Sequence, residues 1–580
     1  FLVLLLAAAV AGYIAMPKRD APISEPDPIL DQATLRSIGQ GEIVGFSHHT
    51  NGAHVWRGIP YAEPPVDDLR WRAPQPFAGW RGTLEALPNS PWCTQVRRSI
   101  DDGSSADAIP LGDLMGQEDC LYLNVYAPKM DAQAAASAQL PVMFWIHGGS
   151  NVWGRAEQYD PSKLAETENV VVVVVQYRLG PLGWFAHDTL VNDAQDDLDK
   201  TANFAILDLI AALDWTAANI TPFGGDPENI TIFGESAGGH NVATLLATPL
   251  AAGKFHKAII QSGSFRSTSM AEARTTHDKS GEKIATKLLG NNVTAEGLRK
   301  VPVDTLFAAY ATDLTGFGWF PPRIIEDDVV IPSEGLTQRF QSTDTFNAVP
   351  IITGINRDET KLFNILDDKQ IRWVLGLVPW ARDQKIYDAK SEYESRMWRV
   401  SAVDLPIQDM IAGGHQDVYA YRFDWDEADT VLGADFSKLF GAAHGLEIPF
   451  VFNQFRFLGR ADKWVFTEEN RVGRETLSEA MMAYWAEFAR NGKPGNGGKG
   501  NLVEWQKWSE NVNSPNMIIL DSNADGGVRF EETRESPQKV AEDIFSDRRF
   551  SSLDQACEIF RNALFWGRSL AAHDTRSCLK

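Results

Sequence analysis

The sequence is short of cysteine, of basic charge and of long apolar runs. Its 580 residues hold four cysteines, Cys93, Cys120, Cys557 and Cys578, and none forms a CxxC pair. A structural zinc site needs clustered Cys or His ligands, so no metal is expected, and no organic cofactor is assigned. Lys and Arg number 54 against 77 Asp and Glu, for a formal net charge of -23. Non-specific nucleic-acid binding depends on clustered cations, so this balance argues against it. It equally argues against docking on anionic lipid by electrostatics alone. No internal repeat is present, and beyond the first residues no segment reads as a membrane span.

What is present begins with residues 1–16, FLVLLLAAAVAGYIAM, which carry no charge. They read as the apolar region of a secretory signal, with Ala9-Val10-Ala11 as a small-residue cleavage site. The alternative is a retained anchor tethering the chain to a membrane. Residues 17–39 are rich in Pro and Asp and are expected to be an N-terminal tether; residues 40–580 are expected to form one domain. Export would place the four cysteines in an oxidising compartment. Four cysteines allow three pairings, and Cys93–Cys120 with Cys557–Cys578 closes modest loops. Four buried free thiols are the alternative for a cytosolic chain. Of three Asn-x-Thr sequences, at Asn219, Asn229 and Asn292, only Asn292 lies where a glycan is plausible.

Short, β-branched apolar runs at 142–146, 170–175, 230–233, 258–260 and 349–352 read as buried strands. Helical patterns at 204–219 and 241–246 alternate with them. That alternation predicts an α/β fold with a large, mostly parallel central sheet and helices on both faces. Sites in such sheets form beyond the carboxyl ends of the strands.

Two strand ends carry chemistry. The run 230–233 leads into Gly234-Glu235-Ser236-Ala237-Gly238-Gly239 and then a helix. This is G-x-S-x-G in strand–turn–helix context: the glycines give room for a strained turn that lifts a nucleophilic serine clear of the sheet. An ordinary Gly/Ser turn is the bland reading, and the flanking strand and helix weigh against it. The run 142–146 ends in His147-Gly148-Gly149-Ser150-Asn151. Free backbone amides there would stabilise an oxyanion, each worth roughly 3–4 kcal/mol to a transition state.

With these motifs the chain resembles the type-B carboxylesterase/cholinesterase family. The matching stretches are Arg57-Gly-Ile-Pro-Tyr-Ala-Glu-Pro-Pro65, Glu118-Asp-Cys-Leu-Tyr-Leu-Asn124, His147-Gly-Gly149, Phe223-Gly-Gly-Asp-Pro227, Gly234-Glu-Ser-Ala-Gly-Gly239, Asn356-Arg-Asp-Glu359 and His444-Gly445. The resemblance implies an α/β-hydrolase fold and a small-molecule ester as substrate. It implies Ser236 as nucleophile, Glu359 as acid and His444 as base, with the amides of Gly149, Ser150 and Ala237 as oxyanion hole. It pairs Cys93 with Cys120 and suggests an ion pair between Arg70 and Glu118, against two separately solvated charges. His147 is expected to shape the loop, and His240 to be a satisfied helix histidine. Asp358 and Glu447 are competing carboxylates.

Two departures carry consequences. Ser150 and Asn151 stand where the family usually has a third glycine and an aromatic, so a more polar pocket is expected beside the hole. Residues 101–117 hold no aromatic to face a choline cation, so a dedicated cholinesterase is not expected. The apolar stretches 314–320 and 374–380 are candidates to line a pocket. The competing function is a non-catalytic adhesion or scaffold protein on the same fold, or an amidase or lipase using the same residues. An unperturbed base would titrate near about 6.5. Oligomeric state is not legible.

Overall fold

The computed structural model describes residues 26–98, 109–310, 321–374, 378–431, 433–511 and 513–579. The apolar run 1–16 lies outside them. Among the described residues, no helix is long and apolar enough to cross a membrane.

Eleven strands form the main sheet. In chain order they are β1 Phe46–Ser47, β2 His54–Pro60, β3 Tyr122–Ala127, β4 Leu140–Ile146, β5 Val171–Val175 and β6 Gly225–Glu235. They continue with β7 Lys257–Gln261, β8 Ile351–Asn356, β9 Val418–Phe423, β10 Met517–Leu520 and β11 Arg529–Glu531. Their spatial order is β11-β10-β9-β8-β7-β6-β4-β5-β3-β2-β1. From β10 through to β5 every pairing is parallel; at both margins the pairings are antiparallel. This is the mostly parallel sheet of an α/β-hydrolase, as the sequence pattern predicts.

Side-chain alternation splits the core in two. In β4, Val142, Phe144 and Ile146 point into one cluster, while Met143 and Trp145 point into the other. The run Val171–Val175 divides the same way, which is why a strand covered on both faces reads as unbroken valine. The first cluster is closed by α1 (Phe204–Asn219) and α2 (Ala237–Ala247); the second is covered by α4 (Arg471–Asn491), which follows α3 (Gln384–Arg399) in the chain.

The expected strands fall on β4 to β8, with shifted ends. The run 349–352 pairs only from Ile351 because Pro350 has no N–H for the ladder; its carbonyl instead accepts from Ala258 N at 3.0 Å. Residues 34–38, within the stretch expected to be a tether, are folded onto the body. Thr34 is fully buried, its hydroxyl accepting from Gly45 N at 2.8 Å and its carbonyl from Trp56 Nε1 at 2.9 Å. Arg36–Ile38 then pairs with Gly41–Val44. Composition reads these residues as polar and loose, yet the buried Thr34 is hydrogen-bonded through both its hydroxyl and its carbonyl.

Both disulfides, Cys93–Cys120 and Cys557–Cys578, are formed. Arg70 and Glu118 do pair: Nε meets Oε2 at 2.7 Å and Nη2 meets Oε1 at 2.5 Å. Asn219 is buried, whereas Asn292 is exposed.

One buried ion pair ties the sheet to its helices near the strand ends. Arg178, just after β5, donates through Nε and Nη2 to Asp208 of α1 at 2.8 and 2.7 Å, and its backbone N–H adds a third bond at 3.1 Å. Both side chains are almost wholly buried. Removing the acid leaves an uncompensated guanidinium. Asp208→Ala should therefore cost about 3–5 kcal/mol in urea unfolding; a loss below about 1 kcal/mol would contradict this reading.

Candidate active site

The parallel register brings several strand ends into line. Gly234 of β6 sits opposite Ile146 of β4 and Ile260 of β7, so Ser236, His147 and Ser262 leave the sheet side by side. At the turn Ser236 has φ 58° and ψ -118°, a region that L-residues rarely occupy. Its amide donates to Gln261 O at 2.9 Å, and its carbonyl accepts from His240 N at 2.9 Å to start α2. A Cβ on Gly234 would lie 2.6 Å from Ile146 O, and one on Gly238 would lie 2.9 Å from His147 O. Neither position tolerates a side chain.

The loop after β4 faces this turn. A Cβ on Gly148 would come 3.2 Å from Ser236 Cβ. Gly149 has φ 96°, and Ser150 and Asn151 follow at 55° and 60°. Two left-handed non-glycine residues in sequence store about 1–3 kcal/mol each, so the surroundings must hold them. Asn151 is fully buried: its Oδ1 accepts from Asn241 Nδ2 at 2.9 Å and lies 3.2 Å from Tyr177 Oη. Tyr177 Oη also donates to His147 O at 2.7 Å. Asn151 thus ties the loop to α2 and to the segment after β5. The expectation that it makes a neighbouring pocket more polar is corrected, since its amide is consumed internally. Among the described residues, the amides of Gly149, Ser150 and Ala237 donate to no protein acceptor.

Glu359 and His444 meet directly. His444 Nδ1 lies 2.5 Å from Glu359 Oε2, and Glu359 is fully buried. Its other oxygen accepts from Ser262 Oγ at 2.5 Å and Asn356 N at 2.7 Å. On the far side of the ring, Nε2 lies 3.1 Å from Glu235 Oε1. No hydrogen bond joins His444 to Ser236 among the described residues; such bonds often tighten only once substrate is bound. Glu235 was not singled out in the sequence, although its place beside Ser236 at the end of β6 was the available signal. A third carboxyl, Glu447, is bonded to Asn356 Nδ2 at 2.6 Å and Gln261 Nε2 at 3.3 Å.

The other sequence candidates are occupied elsewhere. Asp358 pairs with Arg357 at 2.8 Å and Lys361 at 3.2 Å. His147 Nδ1 contacts Gly148 O at 2.9 Å, and burial pushes the imidazole down to about 4. His240 Nε2 meets Arg266 O at 2.6 Å, and burial lowers it to about 3. Both are neutral at pH 7, which suits structural roles. The candidate pocket stretch 314–320 lies outside the described residues. The described part of 374–380 belongs to a separate two-stranded antiparallel pair, Ile371–Val374 against Val378–Ala381, whose Trp373 and Val374 face solvent. Among the described residues no group of three or more His, Cys, Asp or Glu side chains is placed to hold a metal ion.

One imidazole therefore sits among three buried carboxyls. Burial pushes His444 down, but Glu235 and Glu359 outweigh it and hold the ring up, at about 9. Burial lifts Glu235 well above the usual carboxylate range against the pull of His444, and burial with Glu359 nearby lifts Glu447 to about 7. A proton on Glu235 removes the charge that favours imidazolium, so the cluster titrates as a unit. The direction for His444 is upward, which revises the expected value near about 6.5.

The profile of the Carboxylesterase family matches residues 32–397 and 380–538. The chain is similar to the para-nitrobenzyl esterase of Bacillus subtilis (strain 168), with 34% identity covering 83% of this chain and 94% of that protein. It is 31% identical to the human cocaine esterase, over 86% of this chain and 89% of the relative. Among solved structures it is similar to a PNB esterase, with a TM-score of 0.64 and 29% identity over 87% of this chain and 99% of the other. A carboxylesterase of Geobacillus stearothermophilus gives a TM-score of 0.62 at 28% identity, over 86% and 98% of the two chains.

If His444 must be neutral to act, activity is present above its raised pKa and falls as pH drops through it. Glu235→Gln removes the ionisable carboxyl 3.1 Å away, and with it the charge that favours imidazolium, and should move the acid limb of kcat/KM to lower pH by about one unit. An unmoved limb, or a shift upward, would contradict the electrostatic assignment.

Proposed function

From the premise that the chain belongs to the carboxylesterase family and is a carboxylic ester hydrolase, we propose that it works through an acyl-enzyme on Ser236 with a Ser236–His444–Glu359 triad. The observation that carries this reading is the convergence of three groups around the end of β6. These are a strained serine, a loop with free amides, and an imidazole bonded to a buried carboxylate.

In this mechanism His444 accepts the Ser236 proton through Nε2 as Oγ attacks the ester carbonyl. Glu359 holds Nδ1–H, fixes the tautomer and stabilises the imidazolium. The amides of Gly149, Ser150 and Ala237 receive the oxyanion, and the N-terminal end of α2 adds its partial positive charge. His444 then gives its proton to the departing alkoxide. Water, deprotonated by the same ring, attacks the acyl-enzyme and releases the acid. The substrate is a small-molecule ester, and the catalytic residues sit on one domain. The two disulfides favour a compartment outside the reducing cytoplasm, consistent with residues 1–16 acting as a secretory signal. The intact set of three side chains supports this reading over a non-catalytic adhesion protein.

Rapid mixing with 4-nitrophenyl acetate tests the covalent step. The wild-type chain should release a burst of 4-nitrophenol close to one equivalent before steady turnover. Ser236→Ala should lose the burst, and its turnover should fall by about 10⁴-fold or more. A burst retained in Ser236→Ala would exclude Ser236 as the nucleophile.

A further inference from the structure

The chain beyond residue 538 lies outside the stretch matched by the family profile, yet it folds back onto the catalytic body. α5 (Pro537–Ser546) leads to α6 (Leu553–Trp566), and Cys557–Cys578 fastens the following turn to α6. Ile559, Phe560 and Ala563 of α6 share a buried cluster with Tyr393 and Met397 of α3. Trp398, the next residue of α3, points the other way, into the site.

The end of α6 reaches the same place. Trp566 stacks on Trp398 with ring centres 4.4 Å apart at 17°, and lies 5.6 Å from Phe363. Those two rings pack against the His444 imidazole at 4.7 and 5.5 Å. Hydrogen bonds fix the helix end. Arg266 donates through Nη1 to Phe565 O at 2.8 Å and through Nη2 to Trp566 O, and Ser401 Oγ donates to Trp566 O at 2.8 Å. The carbonyl of that same Arg266 contacts His240, one turn along α2 from Ser236. A helix end held this way keeps a fixed position relative to the nucleophile. Trp398 is 9% exposed, so its surface is spent on packing; Trp566 is only half-buried, and Phe565 beside it is 70% exposed. The open aromatic surface of this wall is shared by Phe363, which is also partly exposed, and by Trp566 and Phe565 of the C-terminal segment.

The chemistry says which half of the ester meets it. A base that returns its proton to the leaving group must come within about 3 Å of the alcohol oxygen, so the alcohol lies on the imidazole side. Aromatic rings recognise flat apolar groups by offset or edge contact. We propose that Trp566, delivered by the C-terminal helix, is a specificity-determining residue that binds the alcohol half of the ester and favours aromatic over small aliphatic alcohols. This rests on His444 and Ser236 acting as assigned above.

The test compares 1-naphthyl acetate with ethyl acetate, which share one acetyl-enzyme. In Trp566→Ala the kcat/KM ratio of naphthyl to ethyl ester should fall about tenfold, with a smaller fall in the same direction for Trp566→Phe. The rate of acetyl-enzyme hydrolysis, read as the turnover of 1-naphthyl acetate after its burst, should hold within about twofold. An unchanged ratio in a folded Trp566→Ala or Trp566→Phe enzyme overturns the proposal. So does an equal fall for both esters, which would mean that Trp566 only positions His444. A changed preference for acyl length among 4-nitrophenyl esters, at constant ratio, overturns it as well. Activity surviving Ser236→Ala would instead remove the catalytic reading, and this proposal with it.

Discussion

The backbone of β6 passes so close to the end of β4 that two positions cannot hold a side chain. Ile146 O occupies the space a Cβ would need at both Gly234 and Gly238. Because the chain enters and leaves the turn through those two residues, the middle one of the three between them is held at φ 58°, and that residue is Ser236. The same contact sets the loop after β4 against the serine, with Gly148 filling the gap. The strain at Ser236, and at Ser150 and Asn151 opposite, is held by a rigid parallel sheet and by side chains such as Asn151, Asn241 and Tyr177. The site is thus a consequence of strand register, not of a flexible loop finding its place.

The second constraint is charge without water. Glu235, Glu359 and Glu447 all face a buried volume that holds a single imidazole. Glu359 has a full set of partners, and Glu447 is bonded to two amides. Among the described residues, Glu235 Oε1 has no hydrogen bond and only His444 within ion-pair distance. Such a cluster is costly to the fold, since a buried carboxyl with one partner must either take a proton or hold one nearby. In the mechanism proposed above that cost has a use: it would favour the imidazolium formed as the serine attacks.

The fold was legible because β-branched runs and helical patterns alternate in the sequence. The valine run at 171–175 and the helix at 204–219 needed no knowledge of their partners. Ser236 and the His147-Gly148-Gly149 loop were legible too, since each follows a strand and local sequence alone dictates the turn. Glu359 and His444 were reached only through family resemblance, because their meeting depends on loops of long sequence separation. The fate of Asn151 was misread: nothing local says that its amide turns inward to Asn241, ninety residues along the chain. Thr34, Glu235 and Trp566 were missed for the same reason. Burial of a polar group, a like-charge neighbour and an aromatic stack are all properties of the folded arrangement.

All of this converges on one oxygen atom. Treating the purified protein with a fluorophosphonate and mapping the adduct by mass spectrometry asks whether turn, amides and base act on it together, since the reagent phosphonylates only activated serines. A single adduct on Ser236, absent from Ser236→Ala, is the expected result. A folded protein that takes no label, or takes it at another serine, would contradict the assignment of Ser236 and the site built around it.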